Sequence, residues 1–263
     1  MIRRILNILT ITVLPVIMIV LLGFAVEENR KLPCNQLLVN VDYLNGHHFI
    51  TPEDVKAKVE NSVSKIEGHQ LPEGKLGQVE SVVTGIPYVE KARVYENIDG
   101  DLNILITQRQ PVIRIINAHN QSYYLDRTGS MMPLSPDYTA RVIVATGHIH
   151  AGYSPLVNLL EEKDPAEIST NERKLRELFK LASFIETDPF WNAYIDHIYV
   201  TQTGHFELTP KNGAHIIELG NLNQMQEKFN KLMIFYQNGL ARTGWYQYRR
   251  VNLKYSNQVI CSK

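Results

Sequence analysis

The chain has no excess of charge of either sign and very little cysteine. Its 263 residues include 27 basic and 27 acidic side chains, so the formal net charge is zero. Proteins that bind nucleic acids usually present a basic face, and this balance gives no reason to expect such a partner. The two cysteines, Cys34 and Cys261, stand near opposite ends and are too few to form a disulfide scaffold. We therefore expect two unpaired thiols.

The sequence also lacks the motifs of the common catalytic sites. It contains no G-x-S-x-G, H-E-x-x-H, P-loop or dinucleotide fingerprint. His148 and His150 are the one pair that suggests a metal, because residues i and i+2 of a strand share a face. The neighbouring Gly147 and Gly152 favour a solvated loop instead, and no third ligand stands close in the sequence. We predict no catalytic, cofactor-binding or metal-binding residue, no small-molecule substrate and no enzymatic activity.

One long apolar run is present, at the N-terminus. No charged residue occurs from Ile5 to Val26. As a helix this run would be about 33 Å long, enough to cross a bilayer core of ~30 Å. Two arginines precede it and the charges after it nearly cancel, so the positive-inside rule places residues 1–4 in the cytoplasm. We predict a single-pass type II anchor. A cleaved signal peptide, with Gly23 and Ala25 at the cleavage site, is the alternative.

A small α+β domain is predicted over residues 36–110, after a polar stalk at 27–35. Alternating apolar residues from Leu37 indicate a first strand. The segment Thr51-Pro52-Glu53-Asp54 combines an N-cap, a proline at the first helical position and acids in the first turn, which is typical of a helix start. A second helix ends before Pro87, and two strands follow. The order strand, helix, helix, strand, strand predicts a small sheet with two helices on one face.

A second domain, rich in β-strands, is predicted over residues 111–263. A capping box at residues 169–172 begins one helix, and Asn238-Gly239 ends another. Short strands separated by glycine-containing turns make up the rest. The chain closes on the segment RVNLKYSNQVI, in which Val251 and Leu253 alternate with polar residues as in a strand. This pattern predicts a mixed sheet with two packed helices and a terminal edge strand.

The terminal strand is the best candidate for a functional surface. An exposed sheet edge is a liability that most proteins blunt, but a partner segment can add to it as the next strand. Nearby tyrosines suit binding hot spots, and nearby cations suit the steering of an acidic partner. The apolar residues of the strand are also interpreted as core. The predicted partner-binding residues are Tyr246, Tyr248, Arg250, Val251, Asn252, Leu253, Lys254, Tyr255, Ser256 and Gln258.

Several segments together resemble the FtsQ/DivIB family of bacterial division proteins. The segment VEKARVYENIDGDLNILITQRQP is similar to the end of the family's POTRA domain, and YYLDRTGSMM is similar to its next hairpin, with Leu125, Asp126 and Gly129 in the matching places. The terminal segment resembles the family's last strand, although Asn252-Leu253-Lys254 replaces the usual aspartate-leucine-arginine run. The four residues before the apolar run are fewer than in many relatives, so we expect no cytoplasmic docking role.

The resemblance implies a bitopic, non-enzymatic scaffold of the divisome that links early and late division proteins. It implies a POTRA-like first domain and a position in the cell inner membrane at the septum, with the domains in the periplasm. The implied partners are FtsB and FtsL, the first docking on the last strand, and through them the septal peptidoglycan synthesis enzymes. The alternatives are a POTRA-bearing outer-membrane assembly or secretion module and a membrane-anchored cell-envelope enzyme using His148 and His150 as metal ligands.

Overall fold

The chain forms two compact units in a computed structural model, Met1–Gln108 and Arg109–Lys263. The residues described are those in the following ranges: 13–21, 34–43, 46–63, 66–69, 74–213, 215–256 and 258–263. Cys34 is buried, Cys261 is half-buried, and both are free thiols, as expected.

The predicted membrane helix lies largely outside the described residues. Of the run from Ile5 to Val26, residues 13–21 are described, and they are helical with exposed side chains. Within the described parts of the chain, no helix combines the length and the apolar character that crossing a bilayer requires. The anchor therefore stays a prediction.

Unit 1 has the predicted order of strands and helices. Its elements are β1 (Leu37–Asp42), α1 (Pro52–Val63), α2 (Lys75–Thr84), β2 (Val89–Glu96) and β3 (Leu102–Gln108). The sheet order is β1-β3-β2, with β1 parallel and β2 antiparallel to β3. A parallel pair needs a crossover connection, and α1 and α2 lie within it.

The two helices of unit 1 form its core with the central strand. Thr51 caps α1 as predicted, since its Oγ1 accepts a hydrogen bond from the backbone N–H of Asp54 at 3.2 Å. The buried side chains alternate along β3 and recur at helical spacing along α1 and α2. They include Val55, Val59, Val79, Val83, Leu102, Ile104 and Ile106. The α+β class predicted for this domain is confirmed.

Unit 2 is built on a nine-stranded mixed sheet in the order β12-β11-β10-β9-β8-β7-β4-β5-β6. The strands are β4 (Pro111–Ile116), β5 (Ser122–Asp126), β6 (Met131–Pro133), β7 (Ile143–Gly147), β8 (Ile195–Val200), β9 (Phe206–Pro210), β10 (Ile216–Gly220), β11 (Arg250–Asn252) and β12 (Ile260–Ser262). The helices are α3 (Thr170–Thr187), α4 (Pro189–Tyr194), α5 (Met225–Phe235), a π-helix (Tyr236–Leu240) and α6 (Ala241–Thr243).

The long helices α3 and α5 pack with the sheet in one core. Ser169 caps α3 as predicted, because the backbone N–H of Glu172 donates to Ser169 Oγ at 3.1 Å. The reciprocal half of the capping box is replaced, since the Glu172 carboxylate accepts from Lys163 and Arg176. On the α5 side, Phe229 and Leu232 are buried in the same cluster as Ile217 of β10 and Val251 of β11. This packing fixes α5 across the last strands of the chain.

The predicted end of α5 at Asn238-Gly239 is wrong. Helical structure continues through the π-helix to Thr243. A Cβ atom at Gly239 would lie 2.8 Å from the ring of Phe235. This glycine therefore serves close packing within a continuing helix, where the sequence pattern indicated a helix end.

The prediction of one continuous terminal strand is also wrong. After β11 the chain turns back and forms β12, which pairs antiparallel with β11 and places Cys261 opposite Val251. The Asn252 side chain explains the turn, because its Oδ1 accepts a hydrogen bond from the backbone N–H of Lys254 at 2.9 Å. Such local bonds compete with strand pairing. The edge strand predicted for the end of the chain is consequently β12.

The turn between β5 and β6 is organised by the buried carboxylate of Asp126. Its Oδ1 accepts hydrogen bonds from the backbone N–H groups of Thr128 and Ser130, each at 2.9 Å. Its Oδ2 accepts one from Arg109 Nη1 at 2.7 Å, and the Asp126 side chain is 1% exposed. A buried carboxylate held by several donors is costly to remove, because those donors lose their partner.

We predict that Asp126→Ala lowers the free energy of unfolding of unit 2 by about 3 kcal/mol, since it leaves Arg109 and two backbone donors unpaired. Urea denaturation of the full-length chain measures this. Asp196→Ala, at an exposed position of β8, is the control and should change stability by less than about 0.5 kcal/mol. Equal effects of the two variants would contradict the role of Asp126.

Candidate partner-binding edge

The strand β12 ends the large sheet, and no further strand lies beyond it in the described part of unit 2. Ile260 is 42% exposed, and Ser262 is exposed on the same side of the strand. Cys261 lies between them, is half-buried and packs against the core cluster. Backbone groups on the outer side of such an edge are available to another strand.

The strand β11, where the edge was predicted, is enclosed. It pairs with β10 on one side and with β12 on the other. Val251 and Leu253 are fully buried, in agreement with their interpretation as core. The available edge is therefore formed by residues 260–262, which were not among the predicted site residues. The dipeptide Ser256-Asn257, whose residue types favour turns, was the sequence signal that could have located them.

The polar residues of the predicted site converge on one carboxylate. Glu218 of β10 accepts hydrogen bonds from Lys254 Nζ at 2.8 Å and from Asn252 Nδ2 at 3.1 Å. Arg250 donates to Glu218 and also to Glu207 of β9. The hydrogen bond from Lys254, and after it the hydrogen bond from Arg250, lowers the pKa of Glu218. Two cations predicted to steer a partner are thus paired within the chain and hold β9, β10 and β11 together.

The aromatic residues on either side of β11 differ in accessibility. Tyr246 is 81% exposed and Tyr255 is 51% exposed. Tyr248 is half-buried, with its ring centroid 6.3 Å from that of Phe235. Trp245, which was not predicted, is 38% exposed. The exposed members of the predicted set are Tyr246, Lys254, Tyr255, Ser256 and Gln258.

Comparison with known families accounts for both units. Residues 110–262 match the family model described as FtsQ/DivIB, C-terminal related. The chain belongs to the FtsQ/DivIB family. Residues 32–107 match a POTRA-like domain, in agreement with the order of elements in unit 1. No curated protein matches the chain.

The histidine pair that suggested an enzyme lies on the surface of this FtsQ/DivIB-family protein. His148 and His150 are exposed, with ring centroids 6.4 Å apart, and His119 is 6.2 Å from His150. Among the described residues, no group of three or more histidine, cysteine, aspartate or glutamate side chains is arranged to hold a metal ion. The family is a non-enzymatic division family.

A buried histidine, His215, immediately precedes β10 in unit 2. His215 is 4% exposed, and its Nε2 is 2.7 Å from the hydroxyl of Tyr236. Its Nδ1 has no hydrogen-bond partner in the described structure. Burial lowers the pKa of His215 to about 4. The imidazole is therefore neutral in the folded protein near neutral pH, and the contact with Tyr236 links β10 to the π-helix.

We predict that His215 makes unit 2 sensitive to acid. The unfolded chain protonates His215 near its ordinary pKa of about 6.5, whereas the folded chain does so only near pH 4. Stability is therefore lost as the pH falls from about 6.5 to about 4, by about 3 kcal/mol for this group. Chemical denaturation of the full-length chain across this pH range measures the loss.

His215→Gln should show a distinctly smaller loss over the same range, because it removes the titrating group. His205→Gln, at an exposed position, is the control. An acid-dependent loss in His215→Gln as large as that of the unsubstituted chain would show that other groups are responsible.

Proposed function

We propose that this protein is a non-enzymatic scaffold of the bacterial divisome that captures FtsB- and FtsL-type proteins by β-strand addition to β12. The observation that carries the proposal is the open edge at β12, in the unit that belongs to the FtsQ/DivIB family. In this binding mode, main-chain hydrogen bonds provide affinity and alternate side chains provide specificity.

The surroundings of β12 support a side-chain contribution to such binding. An added strand would place alternate residues beside Ile260 and Ser262 on one face and beside Cys261 on the other. Tyr246 and Tyr255 are exposed in the segments that flank β11, and exposed aromatic residues commonly anchor partners. We propose that the predicted residues from Tyr246 to Gln258 form the flank and support of the docking edge, with residues 260–262 as its centre.

We propose that the two domains, residues 36–110 and 111–263, lie in the periplasm and that the run from Ile5 to Val26 anchors them in the inner membrane at the septum. The supports for this placement are the absence of charge in that run and the arginines before it. The septal peptidoglycan synthesis enzymes would be reached through the bitopic partners. The alternative of an outer-membrane assembly module depended on the POTRA-like domain alone. The family match over residues 110–262 favours the division role.

We expect the full-length chain to remain in the membrane fraction after an alkaline carbonate wash. Replacing both Leu14 and Ile17 with arginine should release it, because each charge costs about 2.5–3.5 kcal/mol at the centre of a spanning helix. The double alanine variant at the same positions is the control and should stay in the membrane. Retention of the double arginine variant would contradict the anchor.

We expect a photoreactive amino acid at position 260 to crosslink the chain in dividing cells to an FtsB-type protein. The matched control is position 199 in β8. Tyr199 is 38% exposed, close to the 42% of Ile260, but lies on an inner strand of the sheet. Strand addition predicts capture from 260 and not from 199, as identified by mass spectrometry. Equal capture from both positions, or capture from 199 alone, would refute docking on β12.

A further inference from the structure

Two lysines on α5 each bind a group of main-chain carbonyls. Lys228 Nζ donates to the carbonyl oxygens of Leu219 and Asn221 at 3.0 and 2.8 Å, and to Asn221 Oδ1 at 3.2 Å. Lys231 Nζ donates to the carbonyl oxygens of Leu253 and Ser256, each at 3.4 Å, and to that of Tyr255. An ammonium group has three donors and no acceptor, so each lysine matches a set of three oxygen atoms.

The parallel pairing of β10 and β11 explains this arrangement. Because the strands run in the same direction, the chain leaves both at the same end of the sheet. Carbonyls in the last residues of a strand, or just beyond its end, can lack ladder partners and then need other donors. Lys228 and Lys231 are three residues apart, and residues at this spacing lie on the same side of a helix. Lys228 therefore donates to carbonyls at the end of β10, and Lys231 donates to carbonyls after the end of β11.

The two lysines act on different parts of the chain. Lys228 is 7% exposed, and its acceptors lie in the segment that leads directly into α5. Lys231 is only half-buried, and its acceptors lie 22–25 residues further along the chain, in the turn that reverses the chain toward β12. Loss of Lys228 should affect the core of unit 2, whereas loss of Lys231 should affect the turn.

We infer that Lys231 is a positioning residue for the docking edge: it fixes the turn after β11 and thereby holds β12 in register beside that strand. This inference rests on the proposed docking of a partner on β12. A fixed edge lowers the entropy that must be lost when a partner strand binds. Among the described residues, the turn is also restrained by the bond from the Lys254 backbone N–H to Asn252 Oδ1, by the bond from Lys254 Nζ to Glu218 and by the burial of Leu253. The hydrogen bonds of Lys231 connect the turn to α5.

Hydrogen exchange of the full-length chain, measured by mass spectrometry, tests the inference. In Lys231→Met, we expect amide exchange at residues 260–262 to increase by about tenfold or more, while exchange in β8 and β9 stays unchanged. The matched control is Lys228→Met, in which exchange should increase by a similar factor throughout unit 2. Lys231→Arg keeps a cation and several donors, and should retain most of the protection of β12.

Binding supplies the second measurement. The probe is the purified extracytoplasmic segment of the FtsB-type protein from the same genome. For this probe, Lys231→Met should raise the dissociation constant by about five- to tenfold, because the partner must then order the edge.

The exchange result decides the role of Lys231. Unchanged exchange at 260–262 in Lys231→Met, or a uniform increase across unit 2, would overturn it. Faster exchange confined to β12 with unchanged binding would instead retain the positioning role and refute β12 as the docking site.

Discussion

The parallel pairing of β10 with β11 is the constraint on which the C-terminal part of unit 2 depends. Two parallel strands cannot be joined by a tight turn, so the chain must cross over between them. Here α5, the π-helix and α6 lie in that crossover, and the buried face of α5 covers the strands that it connects. The same pairing brings the ends of both strands together under one helix, where Lys228 and Lys231 bind the carbonyls that leave the sheet.

Charged and polar side chains of β9, β10 and β11 also hold these strands together. Glu218 joins Arg250, Asn252 and Lys254, and Arg250 continues the connection to Glu207. Hydrogen bonds to charged groups are stronger than neutral ones, so this cluster adds to the ladder hydrogen bonds that hold the three-residue strand β11. The terminal hairpin is thus fixed by core packing of Val251 and Leu253 and by this polar cluster.

Local sequence patterns were sufficient to predict the elements of unit 1 and the long helices of unit 2. The reason is that the signals are local: Thr51 and Ser169 bind backbone groups three residues away, and the apolar residues of each helix recur within one turn. The family of the chain was also predictable, because the order of its segments resembles that of known relatives. The pairing of strands that are distant in the sequence leaves no such local signal.

The wrong predictions at the C-terminus also concern contacts between residues that are distant in the sequence. The apolar positions of residues 251–261 fit one strand or two strands of a hairpin, and the choice depends on the Asn252 side chain and on contacts with α5. The pairing of Arg250 and Lys254 with Glu207 and Glu218 joins positions 32–43 residues apart, so the sequence indicated free cations where the fold places ion pairs. Gly239 was interpreted as a helix end because Asn-Gly is a common pattern after helices. Its observed role is to leave room for the ring of Phe235, and this contact cannot be recognised from the local sequence.

The edge at β12 is only three residues long. Such a short strand offers few main-chain groups, so two copies of this protein that met edge to edge would gain little from pairing, and a passing unfolded chain would gain no more. A partner that docks on β12, as proposed, would therefore add side-chain contacts and contacts beyond the strand to the few main-chain hydrogen bonds that the edge offers. The short length of the edge therefore limits self-association, because an open strand of three residues stabilises unspecific β-pairing only weakly.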